Sequence, residues 1–97
     1  MTFAMQYDVP ADEATYAKVK RLIGDEPPKG LVAHLVVKVE KGLRHIGVWE
    51  TQEDWQRFHD ERSEPAVRQV LAEAGFTKMP PDPPVEVLEL IDLSLGS

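Results

Sequence analysis

Alternating apolar and polar positions predict four β-strands in this 97-residue chain. Residues 2–8 place Phe3, Met5 and Tyr7 on one face, a spacing typical of a half-buried strand. Residues 31–39, 43–49 and 85–93 are rich in valine, leucine and isoleucine and form the other three strands. A tight turn within residues 40–42 would join the two middle strands into an antiparallel hairpin.

Helical spacing of apolar side chains predicts two helical segments between these strands. Residues 11–23 repeat apolar positions every three or four residues and are followed by a glycine, which commonly ends a helix. A second helix begins at Thr51, three positions before Asp54, a spacing that resembles a capping box. Proline is tolerated in a first helical turn, so residues 63–65 restart or kink this helix, and Gly75 ends it.

The element order β-α-β-β-α-β predicts an α+β, ferredoxin-like fold, with a four-stranded antiparallel sheet and helices on one face. An antiparallel sheet with one wet face should alternate between apolar and polar side chains. The second strand does not, since Leu35 and Val37 lie on one face and Val32 and Val36 on the other. We therefore expect the face away from the helices to be covered by a second copy, giving a homodimer.

Composition narrows the classes of partner. The length suits one domain, residues 1–97, and the absence of cysteine excludes disulfides and thiolate chemistry. Eleven basic against seventeen acidic residues give a net charge of −6, which disfavours nucleic acid and anionic membranes. The apolar runs are far too short for a membrane span and no basic-then-apolar leader is visible, so we expect a cytoplasmic protein.

Three stretches carry a family resemblance: PKGLVAHLV, GVWETQEDWQRFHDERSEPAV and VEVLELIDL. Together they resemble small proteins of the dimeric α+β barrel superfamily, which contains the antibiotic biosynthesis monooxygenase-like proteins. The resemblance extends from Met5 to Leu93. It implies two sheets packed face to face as a barrel, with a pocket between sheet and helices in each subunit.

The resemblance implies several chemistries, among them cofactor-free oxygenation of aromatic polyketides, haem degradation and isomerisation. Oxygenases of this superfamily typically use an asparagine with a tryptophan, yet this chain has no asparagine. Its haem-degrading members place a ligating histidine in the region aligned with residues 65–70, where this chain has none. We therefore expect no cofactor, and neither mechanism transfers directly.

The three histidines are the main candidates for chemistry, because imidazole titrates near neutrality. His34, in an apolar strand, is the predicted catalytic proton carrier. Its relation to His45 depends on the hairpin register, which the sequence leaves open. A turn at residues 41–42 would pair His34 with Trp49, and a turn at residues 40–42 would pair it with Val48. A one-residue slip reverses the face of every side chain.

Aromatic side chains could form a wall for a flat ligand, or could fill the core between sheet and helices. His59 follows Trp55 by four positions, so the two share one helical surface. The predicted ligand-binding residues are Tyr7, Trp49, Trp55 and His59. No local spacing of histidines or carboxylates indicates a metal site.

Two functions fit these patterns. The first is a small homodimeric pocket protein that acts as a cofactor-independent oxygenase or isomerase on a small hydrophobic or aromatic metabolite. The second is a non-catalytic ligand-binding or dimerisation module with structural histidines. An open cavity on which His34 and an aromatic ring converge would favour the enzyme.

Overall fold

The computed structural model describes residues 2–78 and 80–96. The strands are β1 (Phe3–Val9), β2 (Leu31–Val39), β3 (Gly42–Trp49) and β4 (Glu86–Leu88). The helices are α1 (Glu13–Ile23), α2 (Gln52–Phe58) and α3 (Glu64–Glu73), and a π-helical turn (His59–Ser63) joins the last two. Within this part of the chain, none of the helices has the length and apolarity that crossing a membrane requires.

The four strands form one antiparallel sheet in the order β2-β3-β1-β4. Helices cover one face, as shown by Tyr16 of α1 against His45 and by Phe58 of α2 against Trp49. This arrangement confirms the predicted α+β, ferredoxin-like fold. Met5 at the centre of β1 is 1% exposed and Trp49 is 3% exposed, so the core lies between the sheet and the helices.

The hairpin register differs from both alternatives considered from the sequence. Val39 pairs with Gly42, so the turn occupies Glu40 and Lys41, and His34 lies opposite Gly47. The reason is local sterics at Gly42, where φ is +150° and a Cβ atom would collide with the carbonyl oxygen of Val9. The tight approach of β1 therefore places this glycine in the strand rather than in the turn.

A β-bulge interrupts the start of β2. Leu31 pairs with Trp49 and Ala33 with Val48, so Val32 has no partner residue on β3. A bulge inserts one unpaired residue and reverses the side-chain alternation beyond it. Leu31 and His34 consequently lie on the same, helix-facing side of the sheet.

The last strand is much shorter than predicted, which corrects the expected strand over residues 85–93. Only Glu86–Leu88 is regular, and Leu88 pairs with Ala4 near the beginning of β1. Glu89 is therefore the last residue that lies opposite β1, and the residues from Leu90 onward run past the start of β1 and find no ladder partner in it. Ile91 is left 85% exposed and Leu95 69% exposed.

The second helical region begins as predicted at Thr51, whose Oγ1 accepts the N–H of Asp54 at 3.1 Å. The Asp54 carboxylate accepts from Arg57 instead of returning to the cap, so the capping box is only half formed. The helix does not break before Pro65. A π turn precedes it, in which the Glu64 N–H donates to the carbonyl of His59.

Candidate functional site

The floor of the candidate site is the helix-facing side of the sheet around Gly47. His34 on β2 and Met5 on β1 flank Gly47 in one row across the sheet. The next row contains His45 and Tyr7, which pair directly with each other. Gly47 matters because a Cβ there would lie 3.0 Å from Nε1 of Trp49 and 3.4 Å from Sδ of Met5. The absence of a side chain at Gly47 thus makes room for the Trp49 indole and the Met5 thioether over this part of the sheet.

The two strand histidines are in contact. Nε2 of His34 lies 3.3 Å from Nδ1 of His45, and the ring centroids are 5.4 Å apart. His34 is exposed and His45 is half-buried. A hydrogen bond between two neutral imidazoles requires that one nitrogen carry a proton and that the other accept it. The pair can therefore hold a proton at either of two positions.

Two tyrosines enclose His45. The ring of Tyr7 stacks on it with centroids 4.8 Å apart and planes within 3° of parallel. Tyr16 meets it edge-on at 5.5 Å. Stacked and edge-on pairs are favoured arrangements of aromatic rings, and they fix the orientation of the imidazole.

Burial controls the protonation of this group. Loss of solvation, with a smaller contribution from the neighbouring His34, lowers the pKa of His45 to about 4. Partial loss of solvation also lowers the pKa of His34, with a smaller contribution from the Lys20 ammonium. For Tyr7, burial raises the pKa to about 12, with Tyr16 acting in the same direction. At neutral pH the two imidazoles are uncharged and Tyr7 keeps its proton.

His59 belongs to a second group at the edge of the helices. Its Nδ1 lies 3.0 Å from Oδ1 of Asp60, and its Nε2 lies 3.5 Å from Oδ2 of Asp82 in the proline-rich segment before β4. Trp55 packs against His59 with ring centroids 5.5 Å apart, and Phe3 packs against Trp55 at 6.0 Å. The side-chain contact of His59 with Asp82 joins the helical region to the proline-rich segment.

Comparisons with known proteins address the fold. The crystal structure of SnoaB, a cofactor-independent oxygenase from Streptomyces nogalater, matches with a TM-score of 0.54 and 14% identity, over 95% of this chain and 93% of that chain. A mutant form of SnoaB matches with a TM-score of 0.51 and 16% identity over the same shares of both chains. The NE2512 protein of unknown function from Nitrosomonas europaea gives 0.55 and 18%, over 99% of this chain and 93% of that chain. No protein-family model and no curated protein sequence matches.

The predicted resemblance to the antibiotic biosynthesis monooxygenase-like proteins is confirmed at the level of the fold. Identities of 14–18% show the architecture alone. A fold of this kind hosts different activities, so the function has to be argued from the side chains of this chain.

On this ferredoxin-like fold, the predicted site residues fall into two groups. Tyr7 and His34 meet at the strand histidines, and Trp49 reaches the same floor through its contact with the Gly47 position. Trp55 and His59 form the separate group near Asp82. The residues that the sequence predicted as one site therefore form two neighbouring clusters.

Sequence reasoning named His45 as a candidate but not as a site residue, because it lies near the hairpin end under either register, and it did not include Tyr16 or Gly47. The sequence does indicate Tyr16, because its position on the inner stripe of α1 directs its side chain toward the sheet. It indicates Gly47 as well, because a glycine inside a strand often marks a place where something approaches the backbone.

Two surface depressions of the protein lie elsewhere. One, of about 580 Å³, is lined by residues 10–14 and 38–43, and the other, of about 380 Å³, lies along residues 60–72. Neither includes His34. His59, Asp60 and Glu64 offer ligand atoms within 4.8 Å of one another, but Glu64 is engaged by Arg68 at 2.7 Å.

Proposed function

We propose that this protein, as one domain over residues 1–97, binds a small flat hydrophobic or aromatic metabolite and acts on it without a cofactor, as an oxygenase or isomerase. The observation that carries this proposal is the contact of two neutral histidines beside Tyr7, which stacks on His45, and Trp49, which packs over Gly47. Both reaction classes begin with removal of a proton from the substrate, a step that a neutral imidazole performs.

The aromatic surroundings favour a flat ligand. Tyr7 already stacks on an imidazole in parallel geometry, and Trp49 presents its indole N–H near the Gly47 floor. Aromatic walls with a few polar groups are typical of small-molecule sites. In this proposal His34 is the catalytic proton carrier, Tyr7 and Trp49 shape the site, and Trp55 and His59 border its entrance.

In an isomerisation, the proton removed from one carbon is returned to another. In an oxygenation, the deprotonated substrate supplies the electrons that reduce molecular oxygen. Neither route calls for a bound group, and the fold is shared with a cofactor-independent oxygenase. Because the chain has no asparagine, proton handling falls to its histidines.

A non-catalytic ligand-binding or dimerisation module is the second candidate. It is favoured by the exposure of His34 and by the location of the two surface depressions away from it. In this case the imidazoles and tyrosines would only pack the sheet against α1. Turnover of a flat substrate that depends on the histidines separates the two candidates.

A ligand screen by thermal shift tests the site. The screen uses flat aromatic ketones and phenols with the parent protein, with His34→Ala and with Gly47→Ala. We expect Gly47→Ala to reduce the ligand-induced shift, because its methyl group enters the floor beside Nε1 of Trp49. Lys38→Gln, on the same strand but 79% exposed at its side chain, is the matched control. Equal shifts in all four proteins would rule out this site.

The dimer is also part of the proposal. The sheet face opposite the helices carries Leu35, 58% exposed, and Val37, 41% exposed. The segment after β4 adds Ile91, Leu93 and Leu95, which also lie exposed along an unpaired backbone. Groups of exposed apolar side chains such as these mark interaction sites. A second copy is the partner that offers the same apolar face and an equivalent free segment.

Sedimentation velocity of paired variants tests the dimer. Leu35→Lys together with Val37→Lys should give monomers at concentrations where the parent dimerises, because two charges would be buried in the interface. Leu22→Lys is the control, since this leucine is 46% exposed but lies on α1. A parent protein that sediments as a monomer, or a double variant that stays dimeric, would contradict the proposal.

A further inference from the structure

We infer that His34 and His45 form a two-histidine proton relay, in which His45 takes the proton from the ligand and His34 passes it to solvent. The ligand is then a flat molecule that loses a proton from a carbon or an oxygen atom and whose anion is delocalised. This inference rests on the proposed site and adds a second catalytic residue, His45, to the one predicted from the sequence.

The relay follows from how the strands place the rings. The register pairs His45 with Val36 and Gly47 with His34, so the two histidines are diagonal neighbours on one sheet face. Their nearest nitrogens are Nε2 of His34 and Nδ1 of His45, 3.3 Å apart. Each ring therefore keeps its other nitrogen, Nδ1 of His34 and Nε2 of His45, for a third group. These free nitrogens are required if a proton is to pass from the ligand to His45, from His45 to His34 and from His34 to water.

The rings differ in surroundings, and this difference assigns their roles. His45 is held in a fixed orientation by Tyr7, which stacks on it, and by Tyr16, which meets it edge-on. Among residues 2–78 and 80–96, no buried side-chain nitrogen or oxygen lacks a partner, and Nε2 of His45 makes no side-chain hydrogen bond. That nitrogen is therefore open to solvent or ligand. His34 is exposed and exchanges protons with water.

Charges around the pair favour an anionic product. The ionisable groups facing it are Tyr7 from β1 and Tyr16 and Lys20 from α1, and Asp82 faces Tyr7 from the proline-rich segment. The lowered pKa values leave both imidazoles uncharged and able to accept a proton, while the Lys20 ammonium lies on the side of His34. Although the chain has a net charge of −6, the Lys20 ammonium lets the region around the two histidines stabilise a ligand anion.

The transfer balances as follows. The C–H or O–H bond of the ligand breaks and its proton binds Nε2 of His45, leaving the electron pair on the ligand. The proton on Nδ1 of His45 moves to Nε2 of His34, and the proton on Nδ1 of His34 leaves to water. Both rings end neutral, each changed from the Nδ1–H to the Nε2–H tautomer, and a reverse transfer restores them.

A first experiment needs neither a ligand nor a variant. Long-range ¹H–¹⁵N correlation spectra of the ¹⁵N-labelled parent protein at about pH 7 report which nitrogen of each ring carries the proton. We expect the same tautomer on both rings, with a proton on Nδ1 of His45 and on Nδ1 of His34, so that one proton lies between the rings, and an independent tautomer state for His59. Free-imidazole tautomer mixtures on both rings would overturn the relay whatever the ligand is.

A second experiment measures proton removal from 5-nitrobenzisoxazole, a flat carbon acid. The base takes its C–H proton, the C–H electrons form the nitrile, and the N–O bond breaks to give a coloured phenolate. We expect the parent protein to exceed the buffer rate, His45→Gln to fall to that rate, and His34→Gln to lose about 10-fold. Lys38→Gln should match the parent.

Tryptophan fluorescence quenching by the same probe separates failure of the relay from failure of the site. A probe that binds but does not react, or that reacts equally well with His45→Gln, overturns the relay and leaves the binding site in place. A probe that neither binds nor reacts contradicts the proposed site, and the tautomer measurement then still decides the relay. Circular dichroism confirms that each variant is folded.

Discussion

Lowering the pH from about 7.5 to about 5 should destabilise the folded protein through His45. The pKa of this histidine falls from 6.5 to about 4 on folding, chiefly because burial disfavours the charged ring. Between these two values the unfolded chain binds more protons than the folded one. The free energy of unfolding therefore decreases as the pH falls through this range and is fully retained above the upper value.

The size of the effect follows from the shift. For one group moving from 6.5 to about 4, the linkage relation gives a loss of about 2 kcal/mol between pH 7.5 and pH 5. The ring is only partly buried, so solvent screening reduces the expected loss to about 1 kcal/mol. The lowered pKa of His34 adds to it in the same direction. The hydrogen bond from Arg44 lowers the pKa of Asp8, so this carboxylate loses its contribution only at more acidic pH.

Urea denaturation at fixed protein concentration, followed by far-ultraviolet circular dichroism, measures this loss. The same series with His45→Gln should show a pH dependence weaker by about 1 kcal/mol over this range. His59→Gln is the comparison, since His59 lies in the other cluster with Asp60 and Asp82. If His45→Gln and the parent show the same slope against pH, the assignment of the shift to burial of this imidazole is wrong.

Three further substitutions test the local structure by urea denaturation. Gly42→Ala should lower the free energy of unfolding by about 3 kcal/mol, and Gly75→Ala should lower it by about 1 kcal/mol. Both glycines have positive φ, but only Gly42 also meets a carbonyl oxygen. Equal losses would refute the collision with Val9. Thr51→Ala should cost about 1 kcal/mol and Thr51→Ser much less, since serine keeps the cap on the Asp54 N–H. Met5→Ala should cost about 2–5 kcal/mol, as expected for a side chain that is 1% exposed, and a loss below 1 kcal/mol would mean that the core is loosely packed.

Sequence patterns were sufficient for the elements and the fold, since alternation and helical spacing report which face of an element is buried. They were insufficient for the hairpin register, because that register depends on Gly42 meeting Val9, a residue of another strand. The same limit applies to β4. Its apolar sequence continues for several residues after Leu88, whereas its hydrogen-bonded length is set by where β1 begins.

The candidate site was predictable in part. The sequence alone predicts His34 as a candidate, because this histidine interrupts an apolar strand. Its partnership with His45 required the register, and the enclosure of His45 required the packing of Tyr16 from α1 against the sheet. The apolar face that carries Leu35 was recognisable from the sequence, since both faces of β2 are apolar.

The bulge at Val32 has a consequence for how this chain tolerates insertions and deletions. Leu31 is aligned by Trp49, while His34 is aligned by the turn at the far end of the hairpin. Deleting Val32 would remove the extra residue, and Leu31 and Ala33 would then follow each other opposite Trp49 and Val48 in a continuous ladder. Leu31 would stay on the core side of the sheet and His34 would stay beside His45. The unpaired residue is thus a place where β2 can lose one residue without reversing any side chain beyond it.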